Sequence, residues 1–318
     1  MKKRIISIIL LVVIIFGAVS ATVGCSKKDD GKITVICTVF PIYDWVRNVV
    51  GVSDAVEVKL LVSNGADLHS YQPTADDIIS IKDAEVIIRV GGDGDSFLDD
   101  ILPQCQNIKD ICLMENHEIE VMETHNDSHD HSAGDGHHHA SDEHIWLSLH
   151  NAKESVSAIC ETLCELDGKN AEKYIANAAV YTEKLSTLCD LYDEAMSKAQ
   201  NKKIVFADRF PFIYMTEEYG IEHTAAFEGC STESEASVET VIRLAERLDE
   251  WELDCIAVTE RSDKRLAEVV IGASGRKNAQ ILVFDSMQSV TNVDISAGKN
   301  YIGIMEYNLQ TLIIAVGE

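Results

Sequence analysis

The chain has 318 residues, of which 46% are hydrophobic and 6% aromatic, and its formal net charge is −26. Its length suggests one large domain or two medium-sized ones. A body this acidic repels nucleic acid and anionic lipid and attracts cations, so we expect cationic partners and no nucleic-acid partner.

The first 24 residues have the pattern of an export signal. The basic start MKKR precedes the apolar run IISIILLVVIIFGAV, which is shorter than the roughly 20 residues that a membrane-spanning helix needs. The following TVGC resembles the lipobox of bacterial lipoproteins, with Thr22 in place of the usual leucine. We therefore expect cleavage before Cys25, lipid on its thiol, a polar tether over residues 25–31, and an extracytoplasmic protein anchored to the cell membrane.

Short apolar runs alternate with predicted helices between residues 32 and 114. Predicted helices begin at Pro41 and after Thr74, which suits an N-cap and is followed by acidic residues in the first turn. Uninterrupted apolar runs are typical of parallel strands that are covered on both faces. The predicted strands are ITVICTV, VEVKLLV, AEVIIRV and IKDICLM.

Residues 115–143 interrupt this alternation. They are rich in His, Asp, Glu, Ser and Gly, and they bury too little apolar surface to offset the entropy lost on ordering. We predict a mobile His-rich loop here, with regular structure resuming at HIWLSL. The loop histidines that are candidate metal ligands are His125, His129, His131, His137, His138 and His139.

Residues 169–200 predict one long helix. Tyrosine and apolar side chains recur every three or four residues from Tyr174 to Ala199, without Gly or Pro. About 26 helical residues would form a rod of roughly 39 Å. We interpret this rod as a rigid link between two lobes, and a long surface helix within one domain is the alternative.

The alternation of strands and helices returns after the long helix. Together the segments predict an α/β fold, in which two lobes with mainly parallel sheets, residues 32–168 and 201–318, are joined by the rigid helix. The predicted strands of the second lobe are KIVFA, EHTAAF, DCIAVTE and QILVF, and its predicted helices are FPFIYMTEEYG, SVETVIRLAERLDE, DKRLAEVVIGASG and NYIGIMEYNLQTLIIAV.

Candidate ligands of a metal ion lie where strands of both lobes end. Ligands of α/β sheets collect beyond the carboxyl ends of the strands. His69 follows a strand of the first lobe, and His144 opens HIWLSL. Asp208, Glu260 and Asp285 follow strands of the second lobe. If the lobes face each other, these imidazoles and carboxylates converge on a cleft and suit Zn²⁺ or Mn²⁺.

Each of these residues also has a simpler interpretation. Asp208 and Asp285 could cap the helices that follow them, and Glu260 could pair with Arg261 or Lys264. An isolated histidine in a loop is usually solvated. The metal interpretation is favoured because the candidates form a set, beside a His-rich tract and in a strongly acidic chain.

The mature sequence resembles the metal-receptor subunits of bacterial zinc and manganese ABC importers, the ZnuA/TroA-like solute-binding proteins with a rigid linking helix. The resemblance implies the same two-lobed fold and a metal ion bound by His69, His144 and Asp285. The segments that carry it are VFPIYDWVRNVVG, GADLHSYQPTADDI, DEHIWLSLHNA and VFDS.

The third ligand of the family's site is where this chain departs from the pattern. The zinc subgroup has His and manganese receptors have Glu at a position that Arg209 occupies here, and arginine stays protonated and cannot coordinate. We predict that Asp208 supplies the third ligand, with Glu260 or a loop histidine as alternatives. Two carboxylates in the site favour Mn²⁺, whereas the His-rich loop favours Zn²⁺.

The resemblance implies a monomeric receptor that captures Zn²⁺ in the cleft between the lobes and delivers it to the permease of an ABC importer. We expect no catalysis, because four protein ligands leave no position for a reactive water. We interpret the His-rich loop as a zinc-gathering arm, with a solvated spacer as the alternative. Other functions that remain open are a manganese receptor of the same family, a metal-dependent surface hydrolase with Glu260 as base, and an adhesin.

Overall fold

The computed structural model describes residues 31–63, 65, 68–123, 141–228 and 236–317. The predicted export signal, Cys25 and the six candidate histidines of the loop lie outside these residues. No helix in the described ranges is long and apolar enough to cross a membrane.

Within the described ranges, two four-stranded sheets form the framework, and the pairings between their strands are parallel. The first sheet has the order β2-β1-β3-β4 and the second has the order β6-β5-β7-β8. The strands are β1 (Ile33–Cys37), β2 (Val56–Leu60), β3 (Val86–Arg89), β4 (Lys109–Cys112), β5 (Lys203–Phe210), β6 (Glu222–Glu228), β7 (Cys255–Thr259) and β8 (Gln280–Phe284).

Helices follow most of the strands, as parallel connections require. Short 3₁₀ segments in the described ranges add further connections, including Leu68–Ser70 and Ile145–Leu147. The α-helices are α1 (Phe40–Val50), α2 (Ala75–Asp83), α3 (Leu149–Leu166), α4 (Ala171–Lys198), α5 (Ile213–Tyr219), α6 (Val238–Glu250), α7 (Arg265–Ala273), α8 (Asn292–Ser296) and α9 (Tyr301–Val316).

The long helix α4 lies between the two sheets in the chain and is packed against both lobes. In the first lobe, the Tyr181 hydroxyl of α4 donates to Asp44 Oδ2 at 3.1 Å. In the second, the Tyr192 hydroxyl donates to the Met305 carbonyl at 2.7 Å. One buried core runs through both lobes and the helix, and within it Trp45 and Tyr301 meet edge to face at 5.2 Å. This core fixes the lobes relative to the helix.

The end of α1 approaches α4 so closely that only glycine fits. Gly51 caps α1 with φ of 61°, which is in the left-handed region that favours glycine. A Cβ atom there would lie 2.7 Å from Asn177 Nδ2 of α4. Asn177 itself donates to the Val49 carbonyl at 2.9 Å, so the helix and the first lobe are directly bonded at this point.

The predicted fold class is confirmed, since two α/β lobes with parallel sheets flank one long helix. Two local expectations differ from the structure. Helix α3 was not among the predicted helices, although Ser148 caps it by accepting from the Asn151 N–H at 3.2 Å. Asp208, expected beyond the end of a strand, lies inside β5, where the pairing with β6 shifts register between Phe206 and Arg209.

Candidate metal centre

His69 lies in the 3₁₀ turn that follows β2 and is held by a carboxylate from a distant segment. Its Nδ1 lies 2.8 Å from Glu143 Oε1, and the two side chains are 20% and 7% exposed. Leu68, beside it, is buried and anchors the turn. The imidazole is therefore oriented by the protein and is largely shielded from solvent.

Glu143 is fixed in turn by a glycine-containing loop. Its Oε2 accepts from the Gly94 N–H at 2.8 Å. A Cβ atom at Gly94 would lie 2.6 Å from that oxygen and 2.7 Å from Leu68 Cγ. The absence of a side chain at this position is what allows the carboxylate of Glu143 to reach both its backbone donor and His69.

A second buried carboxyl group lies near this pair. Asp95 is fully buried, and its Oδ2 accepts from the Gly91 N–H at 3.0 Å and from the Thr38 hydroxyl at 3.5 Å. Burial, together with the negative charge of Glu143, raises the pKa of Asp95 to about 6, against the lowering effects of its backbone hydrogen bonds and of Arg89. Desolvation disfavours the charged form of a carboxyl group, so Asp95 keeps its proton to a higher pH than an exposed aspartate does.

His144 is almost completely buried and is held in the same way as His69. Its Nδ1 lies 2.8 Å from Asp142 Oδ1, which also accepts from the His144 backbone N–H at 2.9 Å. The ring lies edge-on to Trp146, with 5.1 Å between centroids. On the opposite side of the ring, Nε2 contacts the side-chain amide of Gln288 from the second lobe.

The two imidazoles lie next to each other, with 5.8 Å between ring centroids. Asp142 and Glu143 precede His144 directly in the chain, and the first holds His144 while the second holds His69. A carboxylate at Nδ1 favours the tautomer with the proton on that nitrogen, which leaves the lone pair on Nε2. This is the arrangement in which a histidine binds a metal ion through Nε2.

The second lobe contacts the segment that carries His144 through the residues that follow β8. Trp146 Nε1 donates to the Ser286 carbonyl at 2.9 Å, and Met287 has φ of 65°, in the left-handed region. Because that conformation is rare for residues other than glycine, it indicates a backbone held by its surroundings. The turn brings Gln288 to His144.

Asp285 is buried at the start of the same turn and has two partners of its own. Oδ1 accepts from the Met287 N–H at 2.8 Å, and Oδ2 pairs with Lys299 Nζ at 2.7 Å. Asn308 of α9 fixes the backbone of Asp285 with two hydrogen bonds of 2.8 Å. A metal ion that binds through Oδ2 has to displace the ammonium of Lys299.

Asp208 and Glu260 line a cavity of about 480 Å³ at the carboxyl end of the second sheet, which Arg209 and Gln288 also line. Asp208 Oδ2 accepts from the backbone and the hydroxyl of Thr259, at 3.1 and 2.7 Å. These bonds connect β5 to β7, so Asp208 does not cap a helix.

Glu260 is held by two serines of the segment that follows β8. Its oxygens accept from the Ser286 N–H, the Ser286 hydroxyl and the Ser289 hydroxyl at 2.8 to 3.0 Å. The carboxylate therefore connects the ends of β7 and β8 and is not paired with Arg261 or Lys264. The side chain of Arg261 instead donates to the Gly65 carbonyl of the first lobe.

The structure thus brings together some of the predicted ligands and keeps others apart. His69 and His144 are adjacent, whereas Asp208, Asp285 and Glu260 are bonded within the second lobe. In the described ranges, no three His, Cys, Asp or Glu side chains form a group that could hold a metal ion. The complete ligand set therefore stays a prediction.

Several side chains that contact the predicted ligands are not identified by the sequence pattern, among them Asp142, Glu143, Gln288 and Lys299. Asp142 and Glu143 could have been noticed as two acidic residues directly before His144. Gln288 and Lys299 carry no such signal, because only the folded chain brings them to His144 and Asp285.

Comparison with known families gives a match along most of the chain. The family described as "ZnuA: Zinc-uptake complex component A periplasmic" matches residues 35–315. The zinc-binding lipoprotein AdcA of Streptococcus pneumoniae is 30% identical over 295 residues, which cover 91% of this chain. The match covers only 57% of AdcA, so the chain spans less than two thirds of that relative. The high-affinity zinc uptake system protein ZnuA of Bacillus subtilis is 27% identical, covering 92% of this chain and 90% of the relative.

Solved structures have the same architecture. The Zn(II)-bound ZnuA-like domain of Streptococcus pneumoniae AdcA superposes with a TM-score of 0.73 at 26% identity, covering 91% of this chain and 100% of that domain. The zinc-binding protein TroA of Treponema pallidum has the same fold, with a TM-score of 0.73 at 22% identity, covering 91% and 100% of the two chains. With the family match over residues 35–315, these likenesses establish that the chain belongs to the ZnuA family.

Proposed function

We propose that this protein is an extracytoplasmic solute-binding receptor that captures Zn²⁺ between its lobes and delivers it to the permease of an ABC importer. The observation that carries this proposal is the pair of adjacent imidazoles, His69 and His144, each held at Nδ1 by its own carboxylate. Neutral imidazole with a carboxylate behind it is a common ligand of zinc. The AdcA and ZnuA relatives, which are named for zinc binding and zinc uptake, support the same ion.

The proposed ligand set is His69, His144, Asp208 and Asp285. For these groups to meet on one ion, the amide of Gln288 has to leave His144, and Asp285 has to leave its ammonium partner. Glu260, and a histidine of the His-rich loop, are the alternatives for the third ligand.

Manganese is the second candidate ion, and it is favoured by the carboxylates that line the cavity of the second lobe. The two adjacent imidazoles favour zinc over manganese, because imidazole binds zinc more strongly in the Irving–Williams order. We therefore assign zinc as the cargo. Closed coordination by four protein groups leaves no position for a reactive water, so the proposed receptor catalyses no reaction.

We propose a domain organisation that suits a lipid-anchored receptor with a metal site between two lobes. Residues 1–24 are the export signal, residue 25 carries the lipid, and residues 25–31 form the tether. The first lobe comprises residues 32–168, the linking helix residues 169–200, and the second lobe residues 201–318. The receptor acts as a monomer at the outer face of the membrane, where the His-rich loop over residues 115–143 gathers zinc.

Isothermal titration of the purified, metal-free protein with Zn²⁺ and with Mn²⁺ tests the proposal. We expect one tight zinc site and weaker binding of manganese. His69→Ala should weaken zinc binding at least a hundredfold, since it removes a ligand. His117→Ala is the matched control, because His117 is exposed in the described part of the loop. Equal affinities of the wild type and His69→Ala would contradict the proposal.

A further inference from the structure

A second cavity, of about 740 Å³, lies between the first lobe, the linking helix and the segment before α9. Three cationic side chains from three separate elements line it: Arg47 of α1, Lys184 of α4, and Lys299. The chain as a whole has a net charge of −26, so three cationic side chains around one cavity are a local exception to its acidic composition. A concave surface lined by one sign of charge concentrates ions of the opposite sign.

The acidic side chain that lines this cavity is turned toward the core. Asp44 is buried, and its Oδ2 accepts from the Tyr181 hydroxyl, the Tyr301 N–H and the Asn48 amide at 3.1 to 3.2 Å. Burial raises the pKa of Asp44, against the opposing effects of these hydrogen bonds and of Arg47. Three cations therefore share this cavity with one carboxyl group, whose Oδ2 already accepts from three donors.

The cations differ in their own partners. Arg47 lies over the ring of Tyr43 at 5.4 Å, and within the described part of the chain neither Arg47 nor Lys184 is in an ion pair with a carboxylate. Lys299 instead reaches across to Asp285 Oδ2 at 2.7 Å. One of the three cations therefore connects this cavity directly to a proposed metal ligand.

We propose that this cavity binds a small oxyanion, a carboxylate or a tetrahedral group such as phosphate, and that its occupancy is coupled through Lys299 to metal capture by Asp285. The coupling rests on the proposed function, in which Asp285 is a metal ligand. Oxyanions are the ligands that arginine and lysine bind by charge-assisted hydrogen bonds. A cavity of 740 Å³ has room for such a group with several waters, since one water fills about 30 Å³.

The mechanism of coupling is a competition for one ammonium group. Lysine carries a compact charge on a flexible stem and can turn between two nearby partners. An anion beside Arg47 and Lys184 draws Lys299 toward the cavity, and Asp285 then becomes available to a cation. Because linkage is reciprocal, zinc at Asp285 releases Lys299 and tightens anion binding by the same factor.

The first experiment measures anion binding to the metal-free protein. Sulfate and succinate, titrated at constant ionic strength with chloride, distinguish a tetrahedral ligand from a carboxylate ligand. We expect at least one of them to bind the wild type, and the double variant Arg47→Gln/Lys184→Gln to bind it at least tenfold more weakly. Lys109→Gln/Lys203→Gln removes the same charge from exposed ion pairs elsewhere and should bind as the wild type does. Equal binding by both double variants, or no binding of either anion, overturns the proposal.

The second experiment measures zinc affinity with and without sulfate, which coordinates zinc weakly. We expect sulfate to tighten zinc binding about fivefold in the wild type and to have no effect in the Arg47→Gln/Lys184→Gln variant. Lys299→Met should bind zinc more tightly without sulfate and should not respond to it. Unchanged zinc affinity in sulfate overturns the coupling. If the wild type binds no zinc, the proposed function fails, while the anion titration still decides whether the cavity takes an oxyanion.

Discussion

Glu143 precedes His144 in the chain, yet its carboxylate is bonded to His69, with 2.8 Å between Oε1 and Nδ1. One residue therefore joins the segments that carry the two imidazoles. Glu143→Gln should weaken zinc binding about tenfold or more, because loss of the negative charge lowers the basicity of the ring. Glu118→Gln, at an exposed acid, is the control for the change in charge. A Glu143→Gln variant with the wild-type zinc affinity would show that this carboxylate does not position His69.

Gly94→Ala tests the contact between Glu143 and His69 through the backbone donor that holds Glu143. A methyl group there would lie 2.6 Å from Glu143 Oε2, so the carboxylate has to move away from the Gly94 N–H and from His69. We expect a zinc affinity at least tenfold lower and a free energy of unfolding lower by about 1–3 kcal/mol. In Gly272→Ala the added methyl group meets nothing within 4 Å, so this helical variant should keep zinc affinity. Titration calorimetry and urea unfolding measure both quantities.

Asp95 should make the stability of the protein depend on pH. Burial raises the pKa of Asp95 to about 6 from its ordinary value of 3.8, so the folded state binds a proton more tightly than the unfolded state. The contribution of this group to stability is then largest below pH 3.8 and is lost as the pH rises to 6. At pH 7 the charged form costs on the order of 3 kcal/mol.

The substitution Asp95→Asn removes this cost, because the amide stays neutral at every pH. The variant should unfold at higher urea concentrations than the wild type at pH 7, and its advantage should shrink steadily between pH 6 and pH 4. A difference in unfolding free energy that does not change over this range would contradict the raised pKa of Asp95.

The hydrogen bond between Tyr181 and Asp44 should be important for the attachment of the linking helix. Tyr181→Phe removes a buried donor to Asp44 Oδ2 and should lower the free energy of unfolding by about 1–3 kcal/mol. Tyr307→Phe is the matched control, because the side chain of Tyr307 is half exposed. Urea unfolding that gives equal stabilities for both variants would mean that this bond does not stabilise the junction.

The strands could be predicted from the sequence because buried parallel strands are continuous apolar runs, as in β8, whose predicted and observed bounds are the same. Helix α3 was missed, because its first residues, LHNAKES, are mostly polar and follow a 3₁₀ turn. The buried face of this first part includes the polar residues Asn151 and Ser155, so it is not a purely apolar stripe.

The site was predictable only in part. The position of His69 after a predicted strand and that of His144 at the start of HIWLSL were informative, and the structure places the two rings next to each other. The side chains that contact the proposed ligands could not be predicted. Lys299, for example, lies in the loop before α9, and only the folded chain brings it to Asp285. Asp208 shows a further limit, because the register shift in β5 turns its carboxylate to Thr259, and no pattern in KIVFADRF indicates that shift.

The most direct test of the central claim is a crystal structure of the zinc-loaded protein, with anomalous data collected at the zinc edge. We predict one strong anomalous peak about 2.0–2.1 Å from Nε2 of both His69 and His144, with the Gln288 amide displaced from His144. If both rings keep the contacts described here while zinc lies elsewhere, the two imidazoles are not the receptor's metal ligands.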